Sequence, residues 1–133
     1  MQLQISTDYA IRILQHLYKN EGELHTAMSI AESIDITYPF FIKIANKLKR
    51  DGFLRSVQGR NGGYVLGKRA HKINFYDVFV CMEGELQISK CLKRGSKCQN
   101  GEQIDCKMHM FLQGLQGTII AEMSGKSIMD FAC

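Results

Sequence analysis

The stretch CLKRGSKCQNGEQIDCKMH, residues 91–109, gathers three of the chain's five cysteines and one of its four histidines. Thiolate sulfur and imidazole nitrogen are donors for zinc and for iron–sulfur centres. Two thiols can instead close a disulfide. Cys91, Cys98 and Cys106 are separated by six and seven residues, and His109 stands three residues after the last of them. The surrounding residues are Gly, Lys, Asn and Gln, with almost nothing to bury. Disulfide partners, metal ligands and chance are the three readings.

Compartment weighs on that choice. The N-terminus, MQLQISTDYAIRILQHL, has no basic region followed by an unbroken apolar stretch, so it does not read as a signal peptide. No run of 18 apolar residues is present, so no membrane span is expected. A cytoplasmic protein is expected, where thiols stay reduced and disulfides are disfavoured. An enzyme is not: there is no Cys-x-x-Cys pair, no nucleophile–base signature and no cofactor fingerprint.

Charge points to a partner. Residues 43–72 hold nine cations (Lys43, Lys47, Lys49, Arg50, Arg55, Arg60, Lys68, Arg69 and Lys72) against the single acid Asp51. The whole chain carries only +4, so the remainder is net acidic. One-sided charge of this kind suits a polyanion.

The elements that position these residues follow from periodicity and caps. Ser6 or Thr7 is expected to cap a first helix, with Ala10, Ile13, Leu14 and Leu17 inward. Thr26 caps a short second helix, Asp35-Ile36 breaks it, and Thr37 caps a third with Pro39 in its first turn. On that third helix Phe41, Ile44, Ala45 and Leu48 form an apolar stripe. Lys43, Asn46, Lys47 and Arg50 recur at i, i+3, i+4 and i+7 on the other face. Two short helices about a tight turn, the second with a basic exposed face, make a helix-turn-helix. Residues 53–57 and 64–66 then read as strands around a Gln58–Gly63 turn with three glycines, and Arg60 and Asn61 at its tip. A basic hairpin after a helix-turn-helix is a wing.

Asn74 and Asp77 have cap spacing for a fourth helix, on which Cys81 reads as a small buried hydrophobe. About twenty residues without periodicity follow. A helix is then expected from 107 to 123, with Met108, Phe111, Leu112, Leu115, Ile119, Ile120 and Met123 along one broad side. Its Gly114 and Gly117 weaken a helix, and they read as room for a second helix in a dimer seam, with intramolecular packing the alternative. Cys133, at the chain end, reads as a bystander. The fold class expected is mainly α: a winged helix-turn-helix over 1–84, a cysteine loop over 85–106, and a dimerisation helix with its tail over 107–133.

These features together resemble the IscR/NsrR-type regulators, the Rrf-two family of bacterial winged-helix transcription factors. The match is carried by STDYAIRIL, by SIAESIDITYPFFIKIANKLKRDGFLRSVQGRNGGYVL, by INFYDVFVCMEGE, by the three-cysteine loop before a long helix and by KSIMDF. The resemblance implies a homodimer that binds a pseudo-palindromic DNA operator as a repressor. It also implies control by an iron–sulfur cluster, 2Fe-2S or 4Fe-4S, that senses redox state, nitric oxide or cluster supply. Lys43, Asn46, Lys47 and Arg50 would then face the major groove, with Tyr38 and Phe40 near its entrance, and Arg60 and Asn61, presented by the Gly59, Gly62 and Gly63 backbone, would enter the adjacent minor groove. Cys91, Cys98 and Cys106 would be thiolate ligands, although their gaps are wider than the family's usual ones.

Two fourth ligands match the family. His109 fits the IscR-like histidine, and at i, i+3 it shares a helical face with Cys106. Asp8 fits the NsrR-like aspartate, given by the partner subunit's first helix. Zinc is the rival metal and bare thiols the rival switch. Structural zinc usually takes a close cysteine pair, which is missing here.

Overall fold

The computed structural model describes residues 2–96 and 106–131. Its helices are α1 (Ile5–Lys19), α2 (Ala27–Ser33), α3 (Tyr38–Arg50), α4 (Phe75–Glu83) and α5 (Lys107–Ser124). Strands β1 (Leu54–Val57) and β2 (Gly63–Leu66) pair antiparallel, Leu54 opposite Leu66 and Val57 opposite Gly63. This is the winged-helix arrangement the sequence leads one to expect. Among the described residues, no helix is long and apolar enough to cross a membrane.

The helix-turn-helix is built from local signals. Thr26 and Thr37 accept the N–H groups of Ser29 and Phe40 as caps. Asp35 between the two helices is the one non-glycine residue at positive φ among those described, at 56°. Aspartate tolerates that region better than a branched side chain does. Gly52, at φ +82°, turns the chain out of α3.

Ile13, Leu14, Ile30, Phe41, Ile44, Leu48, Ile73 and Val78 are fully buried around the α1–α3–α4 junction. Ile128, in the 3-10 turn Ile128–Phe131, joins them at 0% exposure. Its N–H donates to the Ile73 carbonyl at 2.9 Å, so the tail returns to the helical body.

Two expectations are corrected. Helix α1 begins at Ile5 with Gln4 as its N-cap, and neither Ser6 nor Thr7 caps it. The Gln4 carbonyl takes the first-turn amides, and the buried Thr7 hydroxyl instead donates to Glu83 Oε2 at 2.5 Å. The strands run 54–57 and 63–66: Phe53 is buried ahead of β1, and Gly63 belongs to β2 rather than to the turn. On α5 the apolar residues share the one broad side expected, but they are unequally covered. Leu112, Ile119, Ile120 and Met123 are half-buried, whereas Met108, Phe111 and Leu115 are exposed.

Candidate nucleic-acid interface and metal centre

Helix α3 presents Lys43, Asn46 and Arg50 to solvent, with Lys47 half-buried beside them. The Lys47 carbonyl accepts the Cys81 thiol of α4 at 3.3 Å. Arg50 Nε lies 3.2 Å from the Asp51 carboxylate, an exposed pair that gives way easily to a phosphate. At the helix start Tyr38 is exposed, while Phe40 is half-buried with its ring edge-on to Tyr9 at 5.7 Å. The residues expected to read a groove therefore share one surface, with Phe40 contributing as much to packing as to the surface.

In the wing, Arg60 and Asn61 are both exposed at the tip. Gly59 at φ +117° and the Gly62 N–H to Gly59 carbonyl bond at 3.0 Å close the turn under them. A Cβ on Gly62 would collide with the Val57 and Gly59 carbonyls, so this turn needs glycine. Lys68 departs from the simple picture of a free basic surface: its ammonium lies 4.4 Å from the Phe53 ring centroid.

The link from the wing to the helical body was not visible in the sequence. The Tyr64 N–H donates to the His25 carbonyl at 2.8 Å, extending the ladder by one bridge. Nothing local in LHT predicts a strand pairing partner 39 residues on; only Gly63, which lets the two backbones approach, hints at it.

At the cysteine loop, Cys91 lies in the 3-10 turn Lys90–Leu92, with its Sγ 3.3 Å from Ser89 Oγ. The Ser96 hydroxyl donates to the Cys91 carbonyl at 3.0 Å. The Ile88 N–H donates to Gln116 Oε1 at 3.0 Å and ties this segment to α5. Cys106 is the N-cap of α5, and its sulfur accepts the His109 N–H at 3.4 Å. Among the described residues, His109 Nδ1 is buried without a hydrogen-bond partner. An orphaned imidazole nitrogen one turn from a half-buried cysteine is a fitting donor pair for a metal centre.

Cys98 and Cys133 lie outside the described residues. Among those described, no three His, Cys, Asp or Glu side chains are gathered as a metal site. Asp8 stands on the exposed side of α1, 3.2 Å from Arg12 Nε one turn on. Cys81 is buried, and burial together with its hydrogen bond to Asp51 pushes its thiol up to about 12.

A family model described as Rrf2, iron-dependent transcriptional regulator, matches residues 3–133. The transcriptional regulator NsrR of Bacillus licheniformis is 34% identical over 107 residues, covering 80% of this chain and 70% of that protein. Among solved structures, the global cysteine regulator CymR of B. subtilis superposes with a TM-score of 0.81 at 20% identity, over 99% of this chain and 96% of that one. The T. potens IscR structure gives 0.75 at 18% identity, over 98% and 85%.

Proposed function

The chain belongs to the Rrf2 family of transcriptional regulators, and on that premise we propose that it is a homodimeric repressor whose hold on DNA is set by an iron–sulfur cluster. The observation that carries the cluster reading is the Cys106–His109 pair. The two share the first turn of α5, with His109 Nδ1 buried and unpartnered. Cys91, Cys98 and Cys106 would hold the cluster as thiolates, with His109 or Asp8 as the fourth donor. When bound, it supplies a centre sensitive to redox state, nitric oxide or cluster supply.

The chain's own residues do the rest. Lys43, Asn46, Lys47 and Arg50, with Tyr38 and Phe40 at the groove entrance, enter the major groove of a pseudo-palindromic operator. Arg60 and Asn61, carried on the Gly62 and Gly63 backbone, enter the adjacent minor groove, where a narrow, electronegative channel suits arginine. Gln116 and the Lys90–Leu92 turn connect the cysteine segment to α5. A rearrangement at the cysteines therefore reaches the helix that would set the spacing of two recognition helices.

Anaerobic purification with iron and acid-labile sulfide analysis tests the reading. Cys91→Ser, Cys98→Ser and Cys106→Ser should each abolish or greatly weaken the visible absorption, while Cys81→Ser and Cys133→Ser leave it nearly unchanged. His109→Ala against Asp8→Ala chooses the fourth ligand. A second reading is a zinc or thiol switch without a cluster. Colourless protein with stoichiometric zinc and no sulfide would establish it.

A further inference from the structure

His16 and His25 take no part in the sites above. His16 projects from α1 and His25 from the segment leading into α2. Their rings meet edge to face, with centroids 5.2 Å apart and planes at 72°. The Nε2 atom of each is buried without a hydrogen-bond partner. Two neutral imidazoles pack well in this way. A proton on each would set two like charges at ring-contact distance, where they repel.

The neighbours offset that repulsion only in part. Lys19 acts on His16 from the same helix with the same sign. Arg12 and Asp35, of opposite charge, line the cleft beside His16 together. Glu23 comes within 3.5 Å of His25 Nε2, but from an exposed position and on the His25 side of the pair. Burial keeps Tyr64, brought up by β2, a neutral phenol.

The pair sits where the wing is fastened. The His25 carbonyl receives the Tyr64 N–H, and Gly63 packs so closely that a Cβ there would lie 2.5 Å from that oxygen. The Tyr64 ring meets Phe41 of α3 edge-on at 5.4 Å. A shift of His25 is therefore passed both to the wing and to the recognition helix.

We infer that the His16–His25 pair is a proton-sensitive latch. With the imidazoles neutral it holds the wing against the helical body; protonation of both on acidification releases the wing and weakens DNA binding. The DNA consequence rests on the reading of the wing as a groove-binding element, whereas the latch itself does not.

Nuclear magnetic resonance separates the two. The full chain is titrated from about pH 7.5 to about pH 4.5, because burial and the neighbouring His25 hold the His16 imidazole below its ordinary value. The Gly63 and Tyr64 amide signals should move with the His16 ring protons in the wild type and stay flat in His16→Gln. Wing amides that ignore the ring titration, or move equally in His16→Gln, overturn the latch. If His16→Gln does not fold, His25→Asn replaces it, and the wild-type titration alone still decides against a latch whose amides stay flat.

The DNA arm uses a duplex that the protein selects from a random pool at about pH 7.5. Over the same acid range the wild type should lose severalfold more affinity than His16→Gln. Equal losses overturn the regulatory claim even if the amides move. A protein that selects no duplex removes the DNA-binding reading and leaves the latch to be judged by the amides.

Discussion

Burial, aided by the Asp51 carboxylate, pushes the Cys81 thiol up to about 12, and the thiol donates to the Lys47 carbonyl. Since the thiolate is the reactive form, native Cys81 should alkylate at least about a hundredfold more slowly than an unfolded cysteine near pH 8. Peptide mass spectrometry after iodoacetamide treatment reads this directly, and labelling at the unfolded rate would contradict the burial. The sequence placed Cys81 inside a helix with an apolar face, and that was enough to read it as buried. It could not show the bond to α3, because that contact spans 34 residues. Thr7 fails as a cap for the same kind of reason: its partner Glu83 is 76 residues away. The basic residues of α3 were legible from their spacing. Replacing Lys43 by alanine should weaken DNA binding and reduce the slope of log affinity against log salt by about one, if it contacts a phosphate. An unchanged slope in a salt titration would take Lys43 off the phosphates.

The helix-turn-helix and wing were readable as elements because their punctuation is local. Thr26, Thr37, Pro39, Asp35 and Gly52 each sit where a cap or a turn demands that residue type. What holds the wing down was not readable, because the His25–Tyr64 bridge is a long-range pairing with no periodicity behind it. Gly63 is the position that exposes this contact to test. An alanine there meets the His25 backbone, which cannot rotate away as a side chain can. Gly63→Ala should destabilise the fold by about 1–3 kcal/mol, the usual range for overpacking. It should also weaken DNA binding by displacing Arg60 and Asn61. Denaturant midpoints measure the first effect and a mobility-shift titration the second. Wild-type behaviour in both would mean that the wing is not fastened at His25.

At the scale of the whole molecule, α5 poses the question its composition first raised. Its broad apolar side packs on the body through half-buried Leu112, Ile119, Ile120 and Met123. The same side leaves Met108 69%, Phe111 66% and Leu115 42% exposed. A soluble helix rarely shows water so much apolar surface unless a partner covers it. Gly114 and Gly117 sharpen the point. Each glycine weakens a helix by about 1 kcal/mol relative to alanine, yet a Cβ at either position meets nothing within 4 Å among the described residues. Packing inside one protomer therefore gives no reason for them, whereas close approach of a second α5 does. Two outcomes follow for a homodimer. Leu115→Glu should dissociate it, because an unpaired charge in an apolar seam loses its hydration without compensation. Gly117→Ala should raise the helicity of the isolated protomer and yet weaken the dimer, an opposition that intramolecular packing cannot produce. Sedimentation at micromolar concentration, with circular dichroism on the same samples, measures both. A wild-type monomer, or a Gly117→Ala protein that gains helix and dimerises as tightly as before, would show that α5 is covered by something other than its own copy.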